Sequence, residues 1–284
     1  MAHRSEGKSA LARQLAVLDA FDPLHPFLTL SEIARAADLP VSTAHRIVNE
    51  LVREGLLERH LERSYRLGVR LWEYAARTPG AVGLREVARV WCEAVHRRVG
   101  QHTQLGILQG SDVLYIDRLS NPDAVINGTL VGGRLPAHAS ASGLVLLAHA
   151  EPHVVDAVCA APMRRFTSLT ISSAAALRPV LERIRGDGFM VTDGHIHLEA
   201  RSIAVPVRGP GGRVIAAIAV VVPNDDAPVR PVIDLLTAAA VGISRDLVRA
   251  SGEYGDVAPE TLGLSKRSLE FVAELDAERR HAAA

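Results

Sequence analysis

Apolar residues first recur at helical spacing over residues 10–21, where Leu11, Leu15, Leu18 and Phe21 share a face, and the prolines of 22–26 stop that helix. Thr29 followed by Glu32 has the form of a capping box and predicts a short helix carrying Ile33, Ala34 and Ala37. Asp38-Leu39-Pro40 ends it. Ser42 is the expected cap of a third helix over 42–54, closed by Gly55. Its buried stripe is Ala44, Ile47, Val48, Leu51 and Val52, and its opposite face carries Ser42, Thr43, His45, Arg46, Asn49 and Arg53. Residues 56–59 and 64–67 then alternate as two short strands around a polar turn. Helix, helix, tight turn, helix and hairpin make a winged helix-turn-helix domain over 8–68.

Residues 68–78 form a connecting helix that Pro79-Gly80 breaks, so 69–83 is expected to be linker helix and hinge. Helical spacing resumes over 84–99, and the pattern then changes to strands. Segments 104–109 and 113–119 flank Gly110-Ser111 as a hairpin, and 125–131 is a further strand before a glycine-rich turn. Residues 142–148 read as a short buried helix, and 174–185 as a helix ending before Gly186. Segments 189–192, 202–208 and 213–222 read as strands, and 232–250 as a final helix. Strands with helices at both ends predict an α+β fold whose second domain, 84–250, is a sensor sheet. Beyond it lies a tail, 251–284, with a polar linker over 251–263 and either a surface helix or disorder over 269–280.

Composition narrows the class. The chain has 284 residues, 48% of them hydrophobic, with 32 basic and 32 acidic side chains, which suits two packed domains and excludes a disordered chain. Zero net charge argues against coating nucleic acid through bulk charge but permits local docking by a few arginines. Cys92 and Cys159 stand far apart with no metal-like spacing, which fits a reducing cytoplasm. The longest apolar run, 214–222, is too short to span a bilayer, and the first ten residues lack a signal-peptide core.

Four stretches point to a family. Leu39-Pro40-Val41-Ser42-Thr43-Ala44-His45-Arg46 and Tyr65-Arg66-Leu67-Gly68 lie in the first domain. Gly133-Arg134-Leu135-Pro136-Ala137-His138-Ala139-Ser140 and Arg201-Ser202-Ile203-Ala204-Val205-Pro206-Val207 lie in the second. In this order and spacing they resemble the IclR family of bacterial transcription regulators over roughly residues 10–250. The resemblance implies a homodimer, or a dimer of dimers, binding double-stranded operator DNA. It also implies a GAF-like second domain that binds a small organic effector and needs no cofactor.

The third helix would enter the major groove by its first turns. Thr43 suits a thymine methyl or a phosphate, Arg46 a guanine and Asn49 an adenine, with Ser42 and His45 beside them. Arg59 and Arg63, at the wing, suit phosphate or the minor groove, and Lys8 and Arg13 are further backbone candidates. Arg53, between Glu50 and Glu54, reads instead as part of a solvated face. By resemblance, Leu135, Ser140, Ala141, Ser142, Asp193 and Ser202 line the effector pocket. The N-terminus of the helix after Ser140 favours an anion, so a carboxylate effector is expected. Ser140 and Ser142 serve equally as helix caps.

Some positions depart from the family pattern. Gly143-Leu144 replaces a common Gly-Lys, Gly194-His195 an acidic pair, and Glu199 a glycine. Ala219 and Val221 stand where small hydroxyl residues are frequent, which implies a larger or more apolar effector, such as an aromatic or branched acid. His195, His197 and Glu199 would share one face if the segment were extended, and would then suit a transition metal. A metal-responsive regulator and a metal-dependent hydrolase are therefore the alternatives, beside a constitutive DNA-binding protein whose second domain only dimerises. The chain lacks a nucleophile elbow, a phosphate loop and HExxH. His138 lies close in sequence to Ser140 and Ser142, but residues two apart at a helix start need not face one another. A non-enzymatic regulator is the expectation.

Overall fold

A computed structural model describes residues 9–76 and 81–254. The chain divides into two compact units, with the boundary between residues 78 and 79.

In the first unit, α1 (Ala10–Leu18) starts where the Ser9 hydroxyl accepts the Ala12 N–H at 3.1 Å. It ends before the prolines, while Phe21 still reaches the core. Strand β1 (Leu28–Thr29) leads into α2 (Leu30–Ala36) through the expected capping box. The Thr29 N–H donates to the Glu32 carboxylate at 2.8 Å, and the Thr29 hydroxyl accepts the Glu32 N–H at 3.4 Å. The Thr29 N–H, and then the Thr29 hydroxyl donating to the same carboxylate at 2.8 Å, hold the Glu32 carboxyl below its ordinary range.

Helix α3 (Val41–Arg53) departs from expectation at its start, because Pro40 rather than Ser42 is its N-cap. The extended conformation of Pro40 sets the entry, its carbonyl accepts the Ala44 N–H at 2.9 Å, and Ser42 falls within the first turn. Gly55, at φ +70°, closes the helix end. Strands β2 (Leu57–Arg59) and β3 (Ser64–Leu67) form the wing, followed by α4 (Val69–Ala76). β1 joins them in the order β1-β3-β2. Two residues are too few to show alternation, so β1 left no sequence signal. Val17, Ile33, Ile47, Val48, Leu51 and Leu57 form the core.

The second unit begins with α5 (Ala81–Val99), then β4 (His102–Gln109), β5 (Asp112–Leu119) and β6 (Arg134–Pro136). Helices α6 (Ala141–Ala148), α7 (Pro152–Ala160) and α8 (Ala174–Asp187) follow. Strands β7 (Met190–Asp193), β8 (Ala200–Arg208) and β9 (Val214–Pro223) precede α9 (Arg230–Tyr254). The six strands pair antiparallel in the order β6-β5-β4-β9-β8-β7. Alternation in β9 feeds two cores. Ala216, Ile218 and Val220 pack with α5 and α9, whereas Ala217 and Ala219 pack with α6 and α8. Among the described residues no helix is long and apolar enough to cross a membrane.

Three expectations need correction here. Residues 125–131 are not a strand. They follow Asn121-Pro122 and contain Asn127-Gly128, and their polar groups bond to side chains on and just before β4 instead of a ladder: Gln104 accepts the Thr129 hydroxyl at 2.7 Å and Gln101 the Val125 N–H at 2.9 Å. Helix α7 was not foreseen, because it is short, begins only three residues after α6 and has no side-chain cap at Glu151. Helix α8 continues through Gly186 to end at Gly188, where φ is +77°. The tail beyond 254, Lys8 and the break at Pro79-Gly80 lie outside the described residues.

Helix α6 is buried along its whole length and packs against the loop before it. At Gly143 a Cβ would stand 2.1 Å from the Ala137 carbonyl oxygen, so only glycine permits that approach.

Candidate DNA-binding face and ligand cavity

On α3, Ser42, His45 and Arg46 are exposed while Thr43 and Asn49 are half-buried. The apolar stripe of the helix fills the core, so its polar face is left to solvent. These side chains are organised by one another. Arg46 pairs with Glu50 one turn on, at 2.6 Å. From the wing, the Arg59 guanidinium donates to the Asn49 carbonyl oxygen at 2.8 Å. That fixes the amide, whose NH2 then donates to the His45 Nε2 at 3.1 Å. Helix and wing therefore share a hydrogen-bonded network, which spacing alone did not indicate for Arg59. Arg63 is exposed at the wing tip, at φ +60°. Arg13 is half-buried, with a buried Nε that has no partner. At the base of the wing, Glu58 accepts the Val69 N–H at 3.0 Å and pairs with Arg66, and both interactions hold its carboxyl low. Glu54 pairs with Arg70 at 3.2 Å.

In the second unit a cavity of about 230 Å³ lies on the α6 face of the sheet. Two larger hollows, of about 570 and 500 Å³, lie on the α5 side. Both are more open, and each is bordered by an arginine held in an ion pair: Arg89 with the buried Asp117 at 2.9 Å, and Arg201 with Asp193. The smaller cavity is the more enclosed, and we take it as the ligand site.

The sheet order sets the layout of this cavity. Tyr115 of β5 and Leu135 of β6 stand at one side, beneath Ser140 at the start of α6. Ser140 accepts the Gly143 N–H at 3.1 Å and a long bond from the Tyr115 hydroxyl at 3.4 Å. Burial raises the pKa of the Tyr115 phenol, so it stays protonated and can donate. Gln104 of β4 and Val221 of β9 form the middle, and Gln104 accepts the Thr129 hydroxyl at 2.7 Å from the covering loop. Ser202 of β8, Thr192 of β7 and the turn bearing His195, Ile196 and His197 complete the far side. The Ser202 hydroxyl and the His195 Nδ1 are buried without a hydrogen-bond partner. Burial also disfavours the charged form of His195, against a weaker opposing effect of Asp193.

Of the expected pocket residues, Leu135, Ser140, Ser202 and Val221 line the cavity. Ala141, Ser142 and Ala219 are fully buried but do not line it; Ser142 keeps an unpartnered hydroxyl. Asp193 is exposed and pairs with Arg201, because it alternates away from Thr192, which takes the inward position on β7. Sequence reasoning missed Tyr115, Gln104, Asn127, Thr129 and Thr192. Strand alternation put the first two on one face, but nothing in the sequence indicated that this face was hollow.

The common face of His195, His197 and Glu199 is not formed. Residues 194–199 are a turn beginning at Gly194, at φ +67°, so the period of two does not apply. The Thr170 hydroxyl holds the His195 carbonyl at 2.6 Å, and Thr167 holds that of Gly194 at 2.6 Å. Both imidazoles border the cavity while Glu199 is exposed. Among the described residues no three His, Cys, Asp or Glu side chains gather in a metal-binding group.

Comparison with known proteins places these features in a family. A model described as the IclR helix-turn-helix domain matches residues 10–61, and one described as the bacterial transcriptional regulator IclR C-terminal matches 78–253. The E. coli K12 regulator XynR is 32% identical over 243 residues, covering 84% of this chain and 96% of its own. The Pca regulon regulatory protein of Pseudomonas putida is 29% identical, covering 74% and 72%. A crystal structure of an IclR homolog from Microbacterium hydrocarbonoxydans, complexed with 4-hydroxybenzoate, superposes with a TM-score of 0.79 at 45% identity. It covers 85% of this chain and 100% of that one. The matched regions take in α3 with the first strand of the wing and the sheet that holds the cavity, and on them the chain belongs to the IclR family of DNA-binding transcriptional regulators.

Proposed function

We propose that this regulator binds a single-ring organic acid in the cavity of its second domain, and that the acid changes its affinity for operator DNA. The observation that carries this reading is the relative complexed with 4-hydroxybenzoate, 45% identical over nearly all of the compared chain. The cavity, at about 230 Å³, is smaller than the roughly 300–1,000 Å³ of drug-sized ligand sites and suits one ring. Its Val221, Leu135, Ile126 and Ile196 walls are apolar. The carboxylate lies toward the N-terminus of α6, where Ser140 and the protonated Tyr115 hydroxyl supply hydrogen bonds and the helix dipole favours negative charge. The chain acts without catalysis and without a bound cofactor.

In the first domain, residues 8–68, α3 reads the major groove through Ser42, Thr43, His45, Arg46 and Asn49. Arg63 contacts the backbone, and Arg59 acts through Asn49. The exposed Val69 and Trp72 of α4 support a homo-oligomer. Residues 84–250 serve as the effector domain.

Fluorescence anisotropy of the full chain on its own upstream DNA, against scrambled DNA and at two salt concentrations, tests this reading. Preference for the upstream fragment of at least about tenfold is expected. Addition of 4-hydroxybenzoate should shift that affinity by about 5–150-fold. An unchanged affinity at saturating acid would refute the coupling and leave DNA binding intact.

A further inference from the structure

Resting on the single-ring acid reading, we propose that Ser202 and His195 form a hydroxyl-reading pole at the far side of the cavity. They make it select a ring acid hydroxylated opposite its carboxylate over the unsubstituted acid.

The cavity spans several strands, with polar groups at its two sides and, at its middle, Gln104, whose side-chain oxygen is already bonded by Asn127 and Thr129. Tyr115 and Ser140 stand over β5, whereas Ser202 belongs to β8, three strands away in the sheet order. At the usual strand spacing of about 4.8 Å, that separates the two strand axes by about 14 Å. After the side chains of both walls lean inward, the gap suits one ring with a substituent at each end. The middle is bordered by Val221 and roofed in part by Ile126 and Ile196, which would pack on a ring face.

The two poles differ in how far their polar groups are satisfied. At the near pole, Ser140 already caps α6 and meets Tyr115. At the far pole, the Ser202 hydroxyl and the His195 Nδ1 are both buried and both lack partners. A buried polar atom without a hydrogen bond is rare and costly in a folded protein. Two of them bordering one cavity point to a group that the ligand brings.

That group is neutral. Among the described residues no Lys or Arg borders the cavity, and the nearby Arg201 is engaged by Asp193. His195 is itself kept in its uncharged form by burial. A second carboxylate would therefore enter this pole with no cationic partner. A hydroxyl satisfies both atoms, donating to one and accepting from the other, as the serine hydroxyl can take either role and a neutral imidazole nitrogen can take one. Thr170 and Thr167 hold the backbone of the His195 turn, so the ring is presented from a fixed main chain.

The test is calorimetric titration of the full chain with 4-hydroxybenzoate and with benzoate. The wild type should prefer the hydroxylated acid by about 10–100-fold, the range expected when buried polar groups are left unpaired by the other ligand. Ser202→Ala and His195→Phe should each reduce that preference to below about threefold, and His195→Gln should restore part of it. A thermal melt followed by circular dichroism that matches the wild type shows that the variants are folded. Equal weakening of both acids in a variant, or no preference in the wild type, overturns the hydroxyl-reading pole and leaves the acid site standing. A wild type that binds neither acid overturns both readings.

Discussion

Arg46 must give up Glu50 before it can meet a base. The pair is 2.6 Å long, but the Arg46 side chain is 60% exposed, and such surface pairs contribute only about 0–1 kcal/mol. A guanine edge can therefore displace it. Arg46→Ala should cost about 1–3 kcal/mol at one base pair and relax selectivity there, whereas Glu50→Gln should tighten binding to any DNA by about 2–5-fold. Anisotropy titrations on operator and scrambled duplexes separate the two effects. Equal losses on both duplexes for Arg46→Ala would mean that it touches only the backbone. At this scale the solvent-facing polar side of α3 was legible from its stripe. The bond from Arg59 to Asn49 was not, because it joins residues ten apart on different elements. Asp193 shows the opposite failure. A motif carried it toward the pocket, yet strand alternation turns it outward and gives Thr192 the inward place.

Several elements whose signals are local were read correctly. The α2 capping box is an example, and it carries a pH prediction. The Glu32 carboxyl is held below its ordinary value of 4.5, first by the Thr29 N–H and then by the Thr29 hydroxyl. A depressed folded-state pKa means stability that is complete above the unfolded value and is lost as pH falls through the folded one. Glu32→Gln should therefore melt below the wild type at pH 7, and the gap should close as the pH is taken well below 4.5. Melting curves followed by circular dichroism across that range provide the check, and a gap independent of pH would deny the charged cap. Where signals are not local the reading slipped. Residues 125–131 look strand-like in a window of seven, but the edge place beside β5 is taken by the three residues of β6. The covering segment spends its polar groups on Gln104 and Gln101 instead. The His195 to Glu199 segment failed for a related reason, since a turn at Gly194 removes the periodicity that a metal face required.

For the whole molecule, coupling between acid and operator is a thermodynamic quantity and works in both directions. If the acid changes operator affinity by some factor, operator DNA must change acid affinity by the same factor. Calorimetric titration of 4-hydroxybenzoate into the free protein and into the operator complex should reproduce the factor measured by anisotropy. A mismatch would show that a further equilibrium, such as assembly, accompanies binding.

The amino-acid sequence by itself determined the two-part organisation, the order of most helices and strands, the polar face of α3 and the family. These rest on hydrophobic periodicity, caps and short motifs, all of which act over a few residues. The tertiary structure alone decided which side chains border the cavity, that Asp193 and Ala219 do not, and that Ser202 and His195 each border it with a buried atom left unpartnered. A cavity is bounded by strands β4 to β9 and two distant loops, and the pairing that unites them depends on sheet order and register. No window along the chain contains that information.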